Sequence, residues 1–140
     1  DLYSGTGSIS IYLAARARSV VGFEWTAAAV ADAEINCRLN DVTNCRFVEG
    51  DVLRQLPAWE RPVDVMIVDP PRVGMHPKVL KQVIDLAPGR IVYVSCNPAT
   101  LARDLLALKT CYQVAEVQPV DMFPHTWHIE AVARLEKINP

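Results

Sequence analysis

The run Ile91-Val92-Tyr93-Val94-Ser95-Cys96-Asn97-Pro98 constrains the fold more than any other stretch. Its first four residues are β-prone and carry no charge, which predicts a strand of a parallel sheet covered on both faces. Asn97 and Pro98 stop that strand, because they suit an N-cap and a first helical position. The helix expected to follow reaches Leu108, with Leu101, Leu105 and Leu108 at core spacing. A strand that passes directly into a helix belongs to an α/β fold, and such folds carry their sites at the carboxyl ends of strands. Cys96 therefore precedes a helix N-terminus, whose positive end favours the nucleophilic thiolate. From local sequence alone, an inert place in the core is the commoner role for such a cysteine.

The rest of the chain alternates in the same way. Asp1-Leu2-Tyr3-Ser4-Gly5-Thr6-Gly7-Ser8 predicts the end of a first strand and the glycine turn that opens a helix, with most of that strand truncated upstream. A second strand covers Ser19 to Glu24, and Thr26 is the expected cap of an alanine-rich helix to about Leu39, with Val30, Ala33 and Cys37 on one face. The third strand, Cys45 to Asp51, and the fourth, Val63 to Asp69, also end in acids, and Pro70-Pro71 terminates the latter. A helix from about Pro77 to Leu86 leads to the Ile91 strand. Two adjacent strand-like stretches close the chain, Tyr112 to Val120 and Trp127 to Leu135, and so short a connection makes them antiparallel. The expected fold is an α/β, Rossmann-like three-layer domain with a mostly parallel sheet and an antiparallel C-terminal strand.

At 140 residues the chain fits one domain, 1–140, and its abrupt start at Asp1 reads as a piece of something longer. No apolar run approaches a membrane span. The four cysteines lack CxxC spacing, so no metal site is expected and reduced cytoplasmic thiols are the simplest reading. A net charge of −2 gives no general attraction to nucleic acid, so any RNA affinity must come from a local patch or from a segment outside this chain.

The acids at the strand ends point to a cofactor. Gly5-Thr6-Gly7 permits a tight turn with close backbone approach to a ligand, and Glu24 follows at about the distance where Rossmann-type folds place a ribose-binding acid. A lone GxG is explained as well by a turn without a ligand; the series Glu24, Asp51, Asp69 on successive strands strengthens the cofactor reading. A dinucleotide fingerprint calls for a further glycine at position 10, where Ser10 stands. That favours S-adenosylmethionine, which has no pyrophosphate, over a nicotinamide cofactor or another Rossmann-type ligand. Ribose at Glu24, adenine near Asp51 and the methionine end near Asp1 and Gly5 is the expected arrangement.

Four segments together resemble the RNA uracil-5-methyltransferases: Asp1-Leu2-Tyr3-Ser4-Gly5-Thr6-Gly7, Asp69-Pro70-Pro71-Arg72, the run from Ser95 to Asp104, and the run from Asp121 to Glu130. The resemblance spans essentially the whole chain. It implies that Cys96 is the nucleophile and Glu130 the general base, with adenosylmethionine contacts from Tyr3, Glu24 and Asp69. Gly5, Gly7 and Asp51 complete the expected cofactor set. Ser4 departs from the cysteine that family members often carry, and Ser8 from the asparagine of some members. C5 of uracil is a poor nucleophile; thiolate attack at C6 creates an enolate that activates it, and a base must later remove the C5 proton. His125 and His128 are expected to orient their loop or touch RNA, and Arg72 to meet cofactor, uracil or phosphate. A monomer acting on a flipped-out uridine follows, with ribosomal RNA favoured over transfer RNA by the Asn97-to-Arg103 wording. Family members usually carry an N-terminal OB-fold-like domain, sometimes with an iron–sulfur cluster. The competing classes are an amino-group methyltransferase, which typically places an aromatic residue where Arg72 stands, and an adenosylmethionine- or RNA-binding module without catalysis.

Overall fold

The computed structural model describes residues 1–138. The chain divides into two compact units, Asp1–Trp59 and a second that begins at Glu60.

The first unit is built on a parallel pair, β1 (Val20–Glu24) and β2 (Cys45–Glu49), in register from Val20 opposite Cys45 to Glu24 opposite Glu49. The N-terminal segment lies along β1 through a single parallel bridge between Leu2 and Phe23. Helix α1 (Ser8–Ala14) follows the glycine turn, and α2 (Ala27–Leu39) crosses between the strands with Ala33 and Cys37 buried. Thr26 occupies the N-cap of α2 without a side-chain cap hydrogen bond; its backbone N–H instead donates to Glu24 Oε1 at 2.8 Å. The expected capping hydroxyl is thus replaced by a carboxylate two residues upstream. Position 7 admits nothing larger than glycine, because its φ is +80° and a Cβ would lie 2.6 Å from Phe47 Cζ. Asp51 does not end a strand. Its Oδ1 accepts from Leu53 N at 2.9 Å and caps α3 (Val52–Gln55), which runs into a 3₁₀ turn at Leu56–Ala58.

The second unit holds a four-stranded sheet in the order β3 (Val65–Val68), β4 (Arg90–Ser95), β6 (Glu130–Lys137), β5 (Tyr112–Val120). β3 and β4 are parallel, whereas β6 is antiparallel to both of its neighbours. The two last strands pair antiparallel as expected, with β6 inserted beside β4. β6 begins at Glu130 rather than Trp127, because residues before it are held in a turn: Thr126 Oγ1 donates to Phe123 O at 2.9 Å and accepts from His128 N at 3.1 Å. In β4, Ile91, Tyr93 and Ser95 are buried while Val92 and Val94 are half-buried, so the covering on both faces is unequal.

Helices α4 (Pro77–Leu86) and α5 (Pro98–Leu108) occupy the expected positions. His76 Nδ1 caps α4 by accepting from Lys78 N, and Asn97 Oδ1 caps α5 by accepting from Ala99 N. On α5, Leu101 and Leu108 are buried and Leu105 is half-buried, while the charged Asp104 is fully buried among them. Among the described residues, no helix is long and apolar enough to cross a membrane.

Candidate active site

In the first unit the candidate cofactor residues cluster around the glycine turn. Tyr3 has φ +64°, a left-handed conformation that a bulky residue adopts at a cost of about 1–3 kcal/mol. That strained corner leaves Ser4 N donating to Phe23 O at 3.0 Å and Gly5 N to Glu24 Oε2 at 2.9 Å. Glu24 therefore accepts one backbone N–H on each carboxylate oxygen, from Gly5 and from Thr26. A carboxylate offers about four lone-pair positions, so each oxygen keeps capacity for one further donor.

Ser10 explains the missing third glycine. Its Oγ is buried and donates to Asp1 Oδ2 at 2.6 Å, so the position carries a hydroxyl that orients the first acid of the turn. Asp1 Oδ1 is buried without a hydrogen-bond partner among the described residues, and so is Ser4 Oγ. A Cβ built on Gly5 would meet nothing within 4 Å, so the turn backbone faces open space there. An orphaned carboxylate oxygen, an open glycine and a half-committed Glu24 together fit the ammonium group, backbone approach and ribose hydroxyls of adenosylmethionine. Asp51 is half-buried, and only its Oδ1 has an observed role, as helix cap.

In the second unit three candidates meet at one end of the sheet. The β4–β6 register ends with Ser95 opposite Ala131, and the next residues outward on these antiparallel strands are Cys96 and Glu130. Asp69 directly follows Val68, the last β3 residue paired to β4. Asp69 is exposed as a residue, yet burial of its carboxyl first and the charge of Glu130 second push its pKa above the ordinary aspartate value. The like-charge contribution places Asp69 within electrostatic reach of Glu130.

Cys96 is half-buried within a tight local turn. Ser95 Oγ accepts from Asn97 N and lies 3.1 Å from Asn97 O, pinning the residues on either side of the cysteine. The loop between β3 and α4 is fastened to the start of α5. Asn97 Nδ2 donates to Arg72 O at 3.1 Å, Thr100 Oγ1 stands 3.2 Å from the same carbonyl, and Arg103 Nη2 donates to Val73 O at 2.9 Å. Beneath them, buried Asp104 accepts on Oδ2 from Met75 N at 2.8 Å and Tyr93 OH at 2.6 Å, and on Oδ1 from Arg103. Much of the polar wording from Ser95 to Asp104 is therefore devoted to holding the Asp69–Arg72 loop beside Cys96. Asp104 and Ser95 escaped the sequence reading; the available signal was an acid on the core face of the helix, between Leu101 and Leu108.

Arg72 and His128 are brought together, with Arg72 Nη1 3.2 Å from His128 Nδ1. The Arg72 guanidinium lies 5.2 Å from the Trp127 ring centroid, and the Trp127 and His128 rings are 4.1 Å apart. His125 is exposed, and no hydrogen bond of its side chain is observed among the described residues. Nor, among the described residues, is any group of three or more His, Cys, Asp or Glu arranged to hold a metal ion.

The chain is similar to known proteins in sequence and in fold. The family model described as tRNA (Uracil-5-)-methyltransferase matches residues 53–138, more than half of the chain and all of the Asp69, Cys96 and Glu130 cluster. The chain belongs to the tRNA (uracil-5-)-methyltransferase family. A general methyltransferase-domain model matches residues 1–87, which include the glycine turn and Glu24. A Bacillus cereus protein described as an uncharacterized RNA methyltransferase is 49% identical over 99% of this chain and 31% of its own length. A Bacteroides thetaiotaomicron protein of the same description is 49% identical over 97% of this chain, again covering 31% of the relative. The chain thus spans about a third of the length of the curated relatives it matches. Among solved structures, the Pyrococcus abyssi tRNA (uracil-54, C5)-methyltransferase in complex with S-adenosyl-L-homocysteine superposes with a TM-score of 0.84 at 43% identity, over 96% of this chain and 33% of that one. An rRNA methylase from Streptococcus thermophilus, at 12% identity, 99% coverage of this chain, 85% of that one and a TM-score of 0.77, shares the Rossmann-like methyltransferase fold.

Proposed function

We propose that this member of the tRNA (uracil-5-)-methyltransferase family carries the catalytic part of an S-adenosylmethionine-dependent enzyme that methylates C5 of a uridine in RNA. The observation that carries the reading is the convergence of Cys96, Glu130 and Asp69 at one end of the β3–β4–β6 sheet, within the segment matched to the family. The Pyrococcus abyssi relative, bound to the demethylated cofactor product, supports the cofactor assignment.

Tyr3, Gly5, Gly7, Glu24 and Asp51 are the residues assigned to the cofactor in the first unit, and Asp69 in the second. Glu24 would receive ribose hydroxyls on the lone pairs that Gly5 and Thr26 leave, and Asp1 Oδ1 would receive an ammonium hydrogen. When bound, adenosylmethionine supplies an electrophilic methyl group on a sulfonium sulfur.

Cys96 adds to C6 of the uracil as thiolate. The Sγ–C6 bond forms and the C5–C6 π electrons move toward C4–O4, which gives C5 the nucleophilic character needed to accept the methyl group. Glu130 then takes the C5 proton, the C5–C6 double bond re-forms, and the cysteine leaves with its electron pair. The turn formed by Ser95 and Asn97 holds Cys96 immediately before the N-terminus of α5. The target base must leave its stack to meet these groups.

The wording from Asn97 to Arg103 favours ribosomal RNA, whereas the family description and the Pyrococcus abyssi enzyme name transfer RNA. The test is transfer of labelled methyl from S-adenosylmethionine to both RNAs by the full-length protein. Cys96→Ala is expected to lose product altogether, and Glu130→Gln to accumulate a covalent protein–RNA adduct. Undiminished methylation by Cys96→Ala would sink the uracil-C5 reading.

A further inference from the structure

We propose that the Trp127 face, backed by Arg72 and His128, is a stacking platform for a nucleobase that flanks the target uridine in single-stranded RNA. The inference rests on the uracil-C5 reading and extends it from the reacting base to its neighbour. Three planar groups lie together at the edge of the second unit. The Trp127 and His128 rings are 4.1 Å apart at 32°, and the Arg72 guanidinium is 5.2 Å from the Trp127 centroid and hydrogen-bonded to His128 at 3.2 Å. Trp127 nevertheless leaves 79% of its surface in solvent, and Phe123 and Met122 of the same turn are 53% and 62% exposed.

Three features select a nucleobase as the occupant. First, the platform is tied to the candidate catalytic pair: the Arg72 carbonyl is held by Asn97, directly after Cys96, and His128 lies two residues before Glu130. A ligand seated on Trp127 is therefore near the base that those residues process. Second, Arg72 sets a positive charge against the indole in a chain whose net charge is −2, so the attraction for a phosphate-bearing ligand is local. Third, an exposed indole beside a guanidinium presents a π-face and a positive charge together, the combination that stacks bases of single-stranded nucleic acid without reading their sequence. Flipping a uridine also unstacks its neighbour, and that exposed face needs a new partner.

The test measures binding of a dye-labelled oligouridine decamer to the full-length protein, alongside a decamer of the same ribose-phosphate length without bases. Removing a base-stacking aromatic weakens binding by roughly 5- to 150-fold, so Trp127→Ala is expected to bind the decamer at least about fivefold more weakly. Trp127→Phe keeps a π-face and should stay within about threefold of the parent. Arg72→Lys retains the charge and loses the planar fork, so it falls between them. On the decamer without bases, parent and Trp127→Ala should bind alike. Equal affinity of parent and Trp127→Ala for the oligouridine would overturn the platform, as would a Trp127→Ala deficit that persists undiminished on the decamer without bases. Failure of the uracil-C5 reading therefore shows in methyl transfer by Cys96→Ala, whereas failure of the platform shows in binding by Trp127→Ala.

Discussion

Asp69 and Glu130 bring two carboxyl groups to the same end of one sheet, and burial together with the neighbouring charge raises the pKa of Asp69. A carboxyl that titrates higher in the folded state than in the unfolded state opposes folding once it ionises. Its relative contribution is fullest below the unfolded aspartate value of about 3.9 and is lost as pH rises through the raised folded value. Asp69→Asn should therefore be more stable than the parent at neutral pH, with the difference closing on acidification below that unfolded value; denaturant titrations across this range read it directly. In Glu130→Gln the burial remains and the repelling charge is gone, so the Asp69 midpoint, followed by carboxyl carbon NMR, should move down. A midpoint that stays put would separate the two acids. This pairing was hidden in the sequence, where 60 positions of register and loop stand between them. The position of Cys96 just before a helix, by contrast, was legible locally, because Asn97 and Pro98 carry helix-start chemistry soon after the uncharged run Ile91 to Val94.

At the level of elements, α5 acts as the anchor of the loop that carries Asp69 and Arg72. Its length and cap follow from local rules, and the sequence shows both. What the helix holds does not follow from local rules: Asp104 sits at a core position where an apolar residue is the ordinary expectation. Its carboxylate is shared by a loop amide, a strand tyrosine and the adjacent Arg103, all settled by tertiary approach. Asp104→Ala leaves the Met75 N–H and the Tyr93 hydroxyl without this acceptor and should lower the unfolding free energy by on the order of 1–3 kcal/mol for each. Asp104→Asn keeps an acceptor, loses the ion pair and should fall between the alanine variant and the parent. Urea denaturation of the three proteins checks the order; equal stability of all three would remove the anchor from the account. Gly74 belongs to the same arrangement, since its φ is +78° and a Cβ there would lie 2.7 Å from Asp104 Oδ2. The place of β6 beside β4 was likewise illegible, because antiparallel pairing of the last two strands leaves open which of them borders the sheet.

Over the whole molecule, the candidate cofactor residues other than Asp69 belong to the first compact unit, whereas Asp69 shares the second with the candidate catalytic pair. Tyr3, Gly5, Gly7, Glu24 and Asp51 belong to the first unit, and Asp69, Cys96 and Glu130 to the second. Strand–helix alternation and the acids after successive strands made this order readable, since each acid follows from its own local turn. Cofactor affinity and nucleophilic chemistry should then respond to different substitutions. Glu24→Gln retains one acceptor for the Gly5 or Thr26 amide and loses the negative charge proposed to meet the ribose hydroxyls. Hydrogen bonds to a charged group contribute about 1.5–3 kcal/mol each, so S-adenosylhomocysteine should bind roughly tenfold or more weakly by calorimetry. Cys96→Ala removes no proposed cofactor contact, so its affinity for the same ligand should stay within about threefold of the parent while methyl transfer disappears. Tight S-adenosylhomocysteine binding by Glu24→Gln would move the ribose away from the end of β1. A large loss of cofactor affinity in Cys96→Ala would mean that the thiol shapes the cofactor site, and its loss of activity would then no longer identify a nucleophile.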